Sequence, residues 1–152
     1  ADAAQNVITQ NPSLDGIFMA SELMATAVNA QLNRADLGAN VGEDGAVIRV
    51  AIDGTPQGLE LIRQGALDAT VSQPLNSYAT KIAELITLVK GGGTIELGEF
   101  EDGRVIETEV GPQYQLNATL VTIDNVEKCG AQKNESFHAR IARMTNCNTG
   151  AE

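Results

Sequence analysis

The alternation of helix-like and strand-like segments between residues 1 and 90 constrains the fold of this chain more than any other feature. The predicted helices are 1–10, 22–33, 56–64 and 76–90, and the predicted strands are 16–20, 47–52 and 69–73. Strands that alternate with helices are typical of a parallel sheet, because each parallel connection needs a long crossover. We therefore expect an α/β fold: a doubly wound, mostly parallel sheet with helices on both faces.

Capping signals mark the bounds of two of these helices. Thr55 is a good N-cap, and Pro56 is favoured at the first helical position. Gly65 is placed to end that helix. The longest helix is predicted to be capped by Asn76 and to end at the glycine run 91–93.

After residue 93 the sequence changes to extended segments. Three segments alternate apolar and polar residues: 94–100, 104–110 and 118–123. The first two are predicted to be joined by a turn at 101–103. Beyond Asp124 the chain is polar, with a possible short helix at 137–144. We expect one domain over 1–126 and a polar tail over 127–152.

The chain is strongly acidic, with a formal net charge of -10 and a pI of about 4.4. Such a surface repels nucleic acid and anionic lipid headgroups, so we expect no nucleic-acid partner. Aromatic residues make up only 3% and Trp is absent, which argues against a base-stacking platform. The chain begins at Ala1 instead of Met, which we interpret as a processed, trimmed or shortened form.

Two cysteines, Cys129 and Cys147, lie in the last quarter of the chain. A disulfide bond between them would stabilise the fold by roughly 3 kcal/mol in the chain-entropy model and would fit an oxidising compartment. The alternative is two unrelated thiols in a reducing cytosol. His138 lies between them, but three ligands without a close pair make a poor zinc pattern. We expect neither a metal site nor a cofactor.

Polar side chains follow the three predicted parallel strands. Ser21 and Glu22 follow the first strand, Asp53 follows the second, and Gln73 ends the third. Ligands of open parallel sheets bind beyond the carboxyl ends of the strands. A carboxylate accepts hydrogen bonds and an amide both donates and accepts them, which suits the hydroxyl groups of a sugar. These four residues are the predicted ligand-binding set.

Each of the four residues also has a purely local interpretation. Ser21 can cap the following helix, and Glu22 would then lie in the first turn, where the helix dipole favours an acid. Asp53 and the glycine after it form a common turn pair. Gln73 could hydrogen-bond the backbone at the strand end. Position alone does not decide between these interpretations and a binding site.

Longer runs of sequence carry a resemblance to a known family. Residues 50–56 (VAIDGTP) and 64–74 (QGALDATVSQP) resemble consecutive segments of the ribose- and galactose-type periplasmic sugar-binding proteins. Residues 11–18 (NPSLDGIF) and 122–126 (TIDNV) resemble flanking segments of the same proteins. The resemblance covers about residues 1–126, in a specific order and spacing.

This resemblance implies a two-lobed receptor that closes over a monosaccharide and does no chemistry on it. The chain would form most of the C-terminal lobe. Asp53 matches the sugar-binding aspartate of the family, and Gln73 matches its amide ligand. Ser21 stands where the family usually has Asn, and Glu22 where it usually has Asp, so the pocket should differ from that of a ribose receptor.

The resemblance also implies partners and a location. The membrane partner would be the permease of an ABC transporter, and the protein would be periplasmic, or extracellular and tethered to the membrane. The N-terminal lobe would be missing, so the predicted helix 76–90 would leave an apolar face uncovered, which soluble monomers avoid. We expect either self-association through that face or loss of the missing lobe by proteolysis.

Two other classes of protein compete with this interpretation. The ligand-sensing core of a lactose-repressor-type transcription regulator shares the fold, but nothing in this sequence indicates the DNA-binding helix-turn-helix that precedes such a core. An enzyme is disfavoured, because the sequence has neither a Gly-rich phosphate loop nor a G-x-S-x-G elbow. The one histidine lies in the polar tail. We therefore expect no catalytic residues.

Overall fold

A computed structural model describes residues 2–129 of the chain. These residues fall into two compact units. The first, called here the parallel-sheet unit, comprises residues 2–72 and 119–129, and the second, the hairpin unit, comprises residues 73–118. The predicted domain 1–126 is thus divided between the two units: the chain enters the hairpin unit after residue 72 and re-enters the parallel-sheet unit at residue 119.

Helices and short strands alternate up to residue 72, as expected. In chain order the elements are α1 (Asp2–Gln10), β1 (Gly16–Met19), a 3₁₀ turn (Glu22–Met24), α2 (Ala25–Arg34), β2 (Ile48–Asp53), α3 (Pro56–Arg63), β3 (Ala69–Ser72), α4 (Leu75–Lys90), β4 (Gly98–Phe100), β5 (Gly103–Thr108), β6 (Gly111–Leu116), β7 (Thr119–Thr122) and α5 (Val126–Cys129). The short helix predicted at 137–144 lies outside the described residues.

The main sheet has the strand order β1-β2-β3-β7. The first three strands are parallel, with Phe18 opposite Val50 and Val50 opposite Ala69. The fourth strand, β7, runs antiparallel to β3. The predicted α/β class with a mostly parallel sheet is therefore confirmed.

One face of this sheet packs against the helices. Its buried strand residues are Met19, Arg49, Ala51, Thr70 and Val121, and the helices add Ile8, Ala25, Val28, Leu32, Leu59, Ile62 and Val126. Each buried Val, Leu, Ile or Met side chain among them stabilises the fold by about 1.5–3 kcal/mol. The opposite face is more open, since Phe18, Ile48 and Leu120 are all more than half exposed.

The connection from β2 to α3 has an unusual backbone. Asp53, the last residue of β2, has a φ of 131°, and Gly54 has a φ of 74°. A Cβ on Gly54 would lie 2.7 Å from the Cα of Ser72, the residue paired with Asp53 across the sheet. Glycine is therefore needed at position 54 for two reasons: its φ is positive, and its Cα lies too close to β3 to carry a Cβ. The cap predicted at Thr55 is also confirmed, because its Oγ1 accepts the N–H of Gly58 at 3.1 Å.

The hairpin unit combines α4 with an antiparallel sheet in the order β4-β5-β6. Strand β5 pairs along its whole length with β6, from Gly103 opposite Leu116 to Thr108 opposite Gly111. The first two strands were foreseen as extended segments joined by a turn. Strand β6 was not foreseen, since none of the predicted extended segments covers it.

A cluster of charged and polar side chains links α4 to this small sheet. The ammonium of Lys81 lies 2.9 Å from Asp102 Oδ2, 3.0 Å from Glu84 Oε2 and 4.8 Å from the centre of the Tyr114 ring. The hydroxyl of Tyr114 donates to Asp102 Oδ1. The bonds to Asp102 and Glu84 raise the pKa of Lys81 above its usual value of 10.5. Burial tends to raise the pKa of Asp102, but the bonds from Tyr114 and Lys81 outweigh it and hold that pKa below 3.8.

The rest of α4 is open to solvent. No residue of this helix is buried. The helical period places an apolar stripe along one side, called here the α4 stripe: Leu75, Tyr78, Ile82, Ile86 and Val89. All but Tyr78 are more than half exposed. The uncovered apolar face that the sequence predicted is therefore present.

Substituting Gly54 by alanine should destabilise the parallel-sheet unit. A non-glycine residue in the left-handed region costs roughly 1–2 kcal/mol, and here the new Cβ would also collide with Ser72. The matched control is Gly42→Ala, since Gly42 has a φ of 85° but nothing within 4 Å of the added Cβ. We expect urea unfolding, followed by circular dichroism, to place Gly54→Ala at least about 1 kcal/mol below Gly42→Ala. Equal losses would show that the contact with Ser72 adds nothing.

The Lys81 cluster should make the hairpin unit sensitive to acid. Because the pKa of Asp102 is depressed in the folded state, its contribution is present above pH 3.8 and is lost as the pH falls through the lower folded value. Asp102→Asn should therefore destabilise this unit at neutral pH, and its difference from the wild type should shrink below pH 3.8. Tyrosine fluorescence during urea unfolding reports on this unit, since both tyrosines, Tyr78 and Tyr114, lie in it and Trp is absent.

The control for this experiment is Glu107→Gln, which removes an exposed carboxylate from β5 and leaves the cluster in place. Its stability should track that of the wild type at every pH. A difference between Asp102→Asn and the wild type that stays constant from neutral pH to below pH 3 would contradict the assignment.

Candidate functional site

The register of the parallel strands brings two of the predicted positions to one edge of the sheet. Met19 at the end of β1 pairs with Ala51, two residues before the end of β2. Asp53 at the end of β2 pairs with Ser72, the last residue of β3. Ser21 and Asp53 therefore meet at the carboxyl edge, where open parallel sheets bind ligands. Gln73 directly follows Ser72 in the chain.

Ser21 caps the following helical turn, as its position suggested, and also contacts Asp53. Its Oγ accepts the N–H of Leu23 at 3.3 Å and so caps the 3₁₀ turn that leads into α2. The same hydroxyl donates to Asp53 Oδ2 at 2.7 Å. The cap orients the hydroxyl, and the donated bond orients the carboxylate at the end of the neighbouring strand.

Glu22 does not lie where a direct ligand contact requires it. The residue is fully buried, at 0% exposure. Its Oε1 accepts the N–H of Gly54 at 2.9 Å, and its Oε2 accepts the N–H of Thr55 at 2.7 Å together with the Thr55 hydroxyl. The expectation that Glu22 contacts a ligand is corrected in this respect: its carboxylate binds the turn that follows β2, because that turn offers three converging donors.

Asp53 holds its carboxylate on a strained stretch of backbone. A φ of 131° lies in a region that side chains other than glycine seldom adopt. Such strain costs about 1–3 kcal/mol and is concentrated at ligand-binding and catalytic sites. Asp53 is only half-buried, so its carboxylate lies near the surface.

Gln73 begins the hairpin unit, and its side chain is oriented within that unit. Its Oε1 accepts the hydroxyl of Tyr78 at 3.3 Å, and its main-chain carbonyl accepts the N–H of Leu75 at 2.9 Å. Sequence reasoning missed Tyr78. The available signal was its position on the first turn of the helix that follows Gln73, which brings a side chain back toward the residue before the helix.

The remaining sequence predictions fall partly outside the described residues. Cys129 ends α5 and is buried, but Cys147 and His138 lie beyond residue 129, so the disulfide bond stays a prediction. Within residues 2–129 no group of His, Cys, Asp and Glu could hold a metal ion. No helix in the same range is long and apolar enough to cross a membrane.

Hydrogen bonding to a ligand is the chemistry that this edge supports. An acidic side chain on a strained turn and a serine hydroxyl lie 2.7 Å apart, and an amide follows the next strand. The histidine of the chain lies in the tail, far along the sequence from this edge. A carboxylate and a hydroxyl held together in this way complement a ligand rich in hydroxyl groups.

Comparison with known proteins gives a sequence relative of partial length. No protein-family model matches the chain. The D-allose-binding periplasmic protein of Escherichia coli (strain K12) is 31% identical over 108 residues. This match covers 70% of the chain but only 33% of the relative.

Solved structures agree on the fold. One is an ABC transporter periplasmic solute-binding protein from Actinobacillus succinogenes 130z with bound D-allose. The match covers 83% of this chain and 37% of that protein, with a TM-score of 0.58 and 21% identity. Another is a sugar ABC transport substrate-binding protein from Bordetella parapertussis 12822. The match covers 83% of this chain and 36% of that protein, with a TM-score of 0.63 and 16% identity.

These relatives are binding proteins of transporters, not enzymes, and the chain spans about a third of their length. The resemblance that the sequence indicated is thereby confirmed. In sequence this chain is similar to the periplasmic sugar-binding proteins of ABC transporters, and its fold is that of a lobe of a type I periplasmic binding protein.

Proposed function

We propose that this chain is the ligand-binding C-terminal lobe of a protein that carries a monosaccharide or a related polyol to an ABC transporter. The hydrogen bond of 2.7 Å between Ser21 and Asp53 at the carboxyl edge of the sheet is the observation that carries the proposal. It joins two residues that the family resemblance assigns to sugar binding. The relative that is 31% identical is itself named as a D-allose-binding protein.

Asp53 is the principal ligand for the sugar in this proposal. Its ionised carboxylate accepts hydrogen bonds from sugar hydroxyls, and charge-assisted bonds of this kind are about twice as strong as neutral ones. The bond from Ser21 fixes the carboxylate before the ligand arrives. Gln73, held by Tyr78, presents an amide that can donate to a sugar oxygen.

A neutral sugar suits the charge of the chain. The net charge of -10 disfavours anionic ligands such as sugar phosphates. The bound ligands named for similar structures are neutral, namely D-allose and D-fucose. Ser21 differs from the residue usual at that position in ribose receptors, so we propose a hexose, deoxyhexose or polyol and not ribose.

We further propose that a companion lobe covers the α4 stripe. Four of the five apolar side chains on this stripe are more than half exposed, and soluble proteins seldom leave such a surface open. The relatives are about three times longer than the matched segment, so their chains hold enough residues for a second lobe. Ligand binding would then shift an equilibrium between open and closed forms, and the closed form would be recognised by the permease.

A periplasmic or membrane-tethered location follows from the same proposal. An oxidising compartment would also permit the bond predicted between Cys129 and Cys147. We do not propose the alternative, the sensing domain of a lactose-repressor-type regulator, because the relatives described above are transport proteins. No observation on the described residues favours an enzyme.

Replacing Asp53 by asparagine should weaken sugar binding without unfolding the protein. Asparagine tolerates a positive φ, so the turn can persist while the charge is lost. Hydrogen bonds to charged groups contribute about 1.5–3 kcal/mol, so affinity should fall roughly 10- to 100-fold. Isothermal titration calorimetry of the complete two-lobed receptor with D-allose, D-fucose, D-ribose and myo-inositol measures both affinity and preference.

The matched control is Asp15→Asn, because Asp15 is exposed and immediately precedes β1, at the opposite end of that strand. This variant should bind the preferred sugar as the wild type does. If no sugar of the panel binds, or if Asp53→Asn binds as tightly as the wild type, the proposed function or the proposed site is wrong.

A further inference from the structure

We propose that Glu22 is a positioning residue of the sugar site, acting on the ligand through the backbone of Asp53. This inference rests on the proposed function. Glu22 is fully buried, yet each of its carboxylate oxygens accepts at least one hydrogen bond from the turn that carries Asp53. A buried carboxylate with this many partners holds them in place, since displacing any of them leaves a charge unsatisfied.

The bond to Gly54 is the step that reaches Asp53. The N–H of Gly54 belongs to the peptide group that joins it to Asp53, so the 2.9 Å bond to Glu22 Oε1 fixes the ψ of Asp53. The bond of 2.7 Å from Ser21 fixes the carboxylate of the same residue. Two consecutive residues that follow β1 thus hold the side chain and the backbone of one residue at the end of β2.

The bonds to Thr55 extend this arrangement into α3. The Thr55 hydroxyl donates to Glu22 Oε2 and accepts the N–H of Gly58, so a chain of hydrogen bonds runs from the helix to the buried carboxylate. Hydrogen bonds in such a chain strengthen one another. Gly58 also leaves the space that the carboxylate fills, because a Cβ at that position would overlap the Glu22 side chain.

Glu22→Gln tests this role with little change of shape. One carboxylate oxygen becomes an NH₂ group, and whichever oxygen is replaced, that group faces a donor, either Gly54 or Thr55. We expect the affinity for the preferred sugar to fall about tenfold, because an unpaired buried donor releases the turn. Exchange of the Gly54 amide hydrogen, measured by NMR in the absence of sugar, should accelerate by a similar factor.

A double-mutant cycle separates positioning from a general loss of stability. If Glu22 acts through Asp53, the variant with both Glu22→Gln and Asp53→Asn should bind about as weakly as Asp53→Asn alone. Ile62→Val is the stability control, since Ile62 is a buried core residue of α3. This control should lower the urea midpoint and leave the affinity unchanged.

Four outcomes overturn the inference. Additive losses in the cycle would mean that Glu22 acts independently of Asp53. An unchanged exchange rate at Gly54 would mean that the carboxylate does not hold the turn. A wild-type receptor that binds no sugar removes the proposed function and the inference with it, whereas a wild type that binds and a Glu22→Gln variant of equal affinity remove the inference alone.

Discussion

The hydrogen bonds that join Ser21 and Glu22 to the end of β2 are the interactions on which the rest of the site depends. Burying a carboxylate is unfavourable unless its hydrogen bonds are made, and Glu22 makes them only when the β2–α3 turn has one conformation. The free energy that would be lost with those bonds offsets the strain at Asp53, whose φ is 131°. The turn conformation that satisfies the buried acid is also the one that presents the exposed part of Asp53 to solvent.

Sequence alone located this edge because parallel strands end together. Once 16–20, 47–52 and 69–73 were recognised as strands, the residues at their ends had to share an edge of the sheet, and Ser21 and Asp53 do. The separate roles of Ser21 and Glu22 could not be predicted, because position gives no information on whether a side chain turns inward. A signal was present in α3: a glycine inside a helix costs about 1 kcal/mol relative to alanine, and Gly58 marks where Glu22 packs.

The hairpin unit was less predictable for a different physical reason. Strand β6 contains Pro112, which normally argues against a strand, but β6 is at the edge of its sheet and pairs only with β5, so a missing N–H is tolerated there. The contacts among Lys81, Asp102 and Tyr114 join three segments far apart in sequence. Neither periodicity nor capping signals carry information about such contacts. The apolar period of α4 does indicate a helix up to Lys90, but the cap predicted at Asn76 is wrong, because the helix begins at Leu75 without a side-chain cap.

Gln73 and the α4 stripe are connected through the start of α4. Gln73 lies two residues before Leu75, the first residue of both the helix and the stripe. Tyr78, also on the stripe, donates to Gln73 Oε1 at 3.3 Å. Any surface that packs on the stripe would therefore restrict the side chain that orients Gln73. By linkage, a ligand held by Gln73 would in turn favour the packed arrangement by the same free energy. If Gln73 binds the sugar as proposed, packing on the stripe and binding of the ligand would act on each other through the first turn of α4.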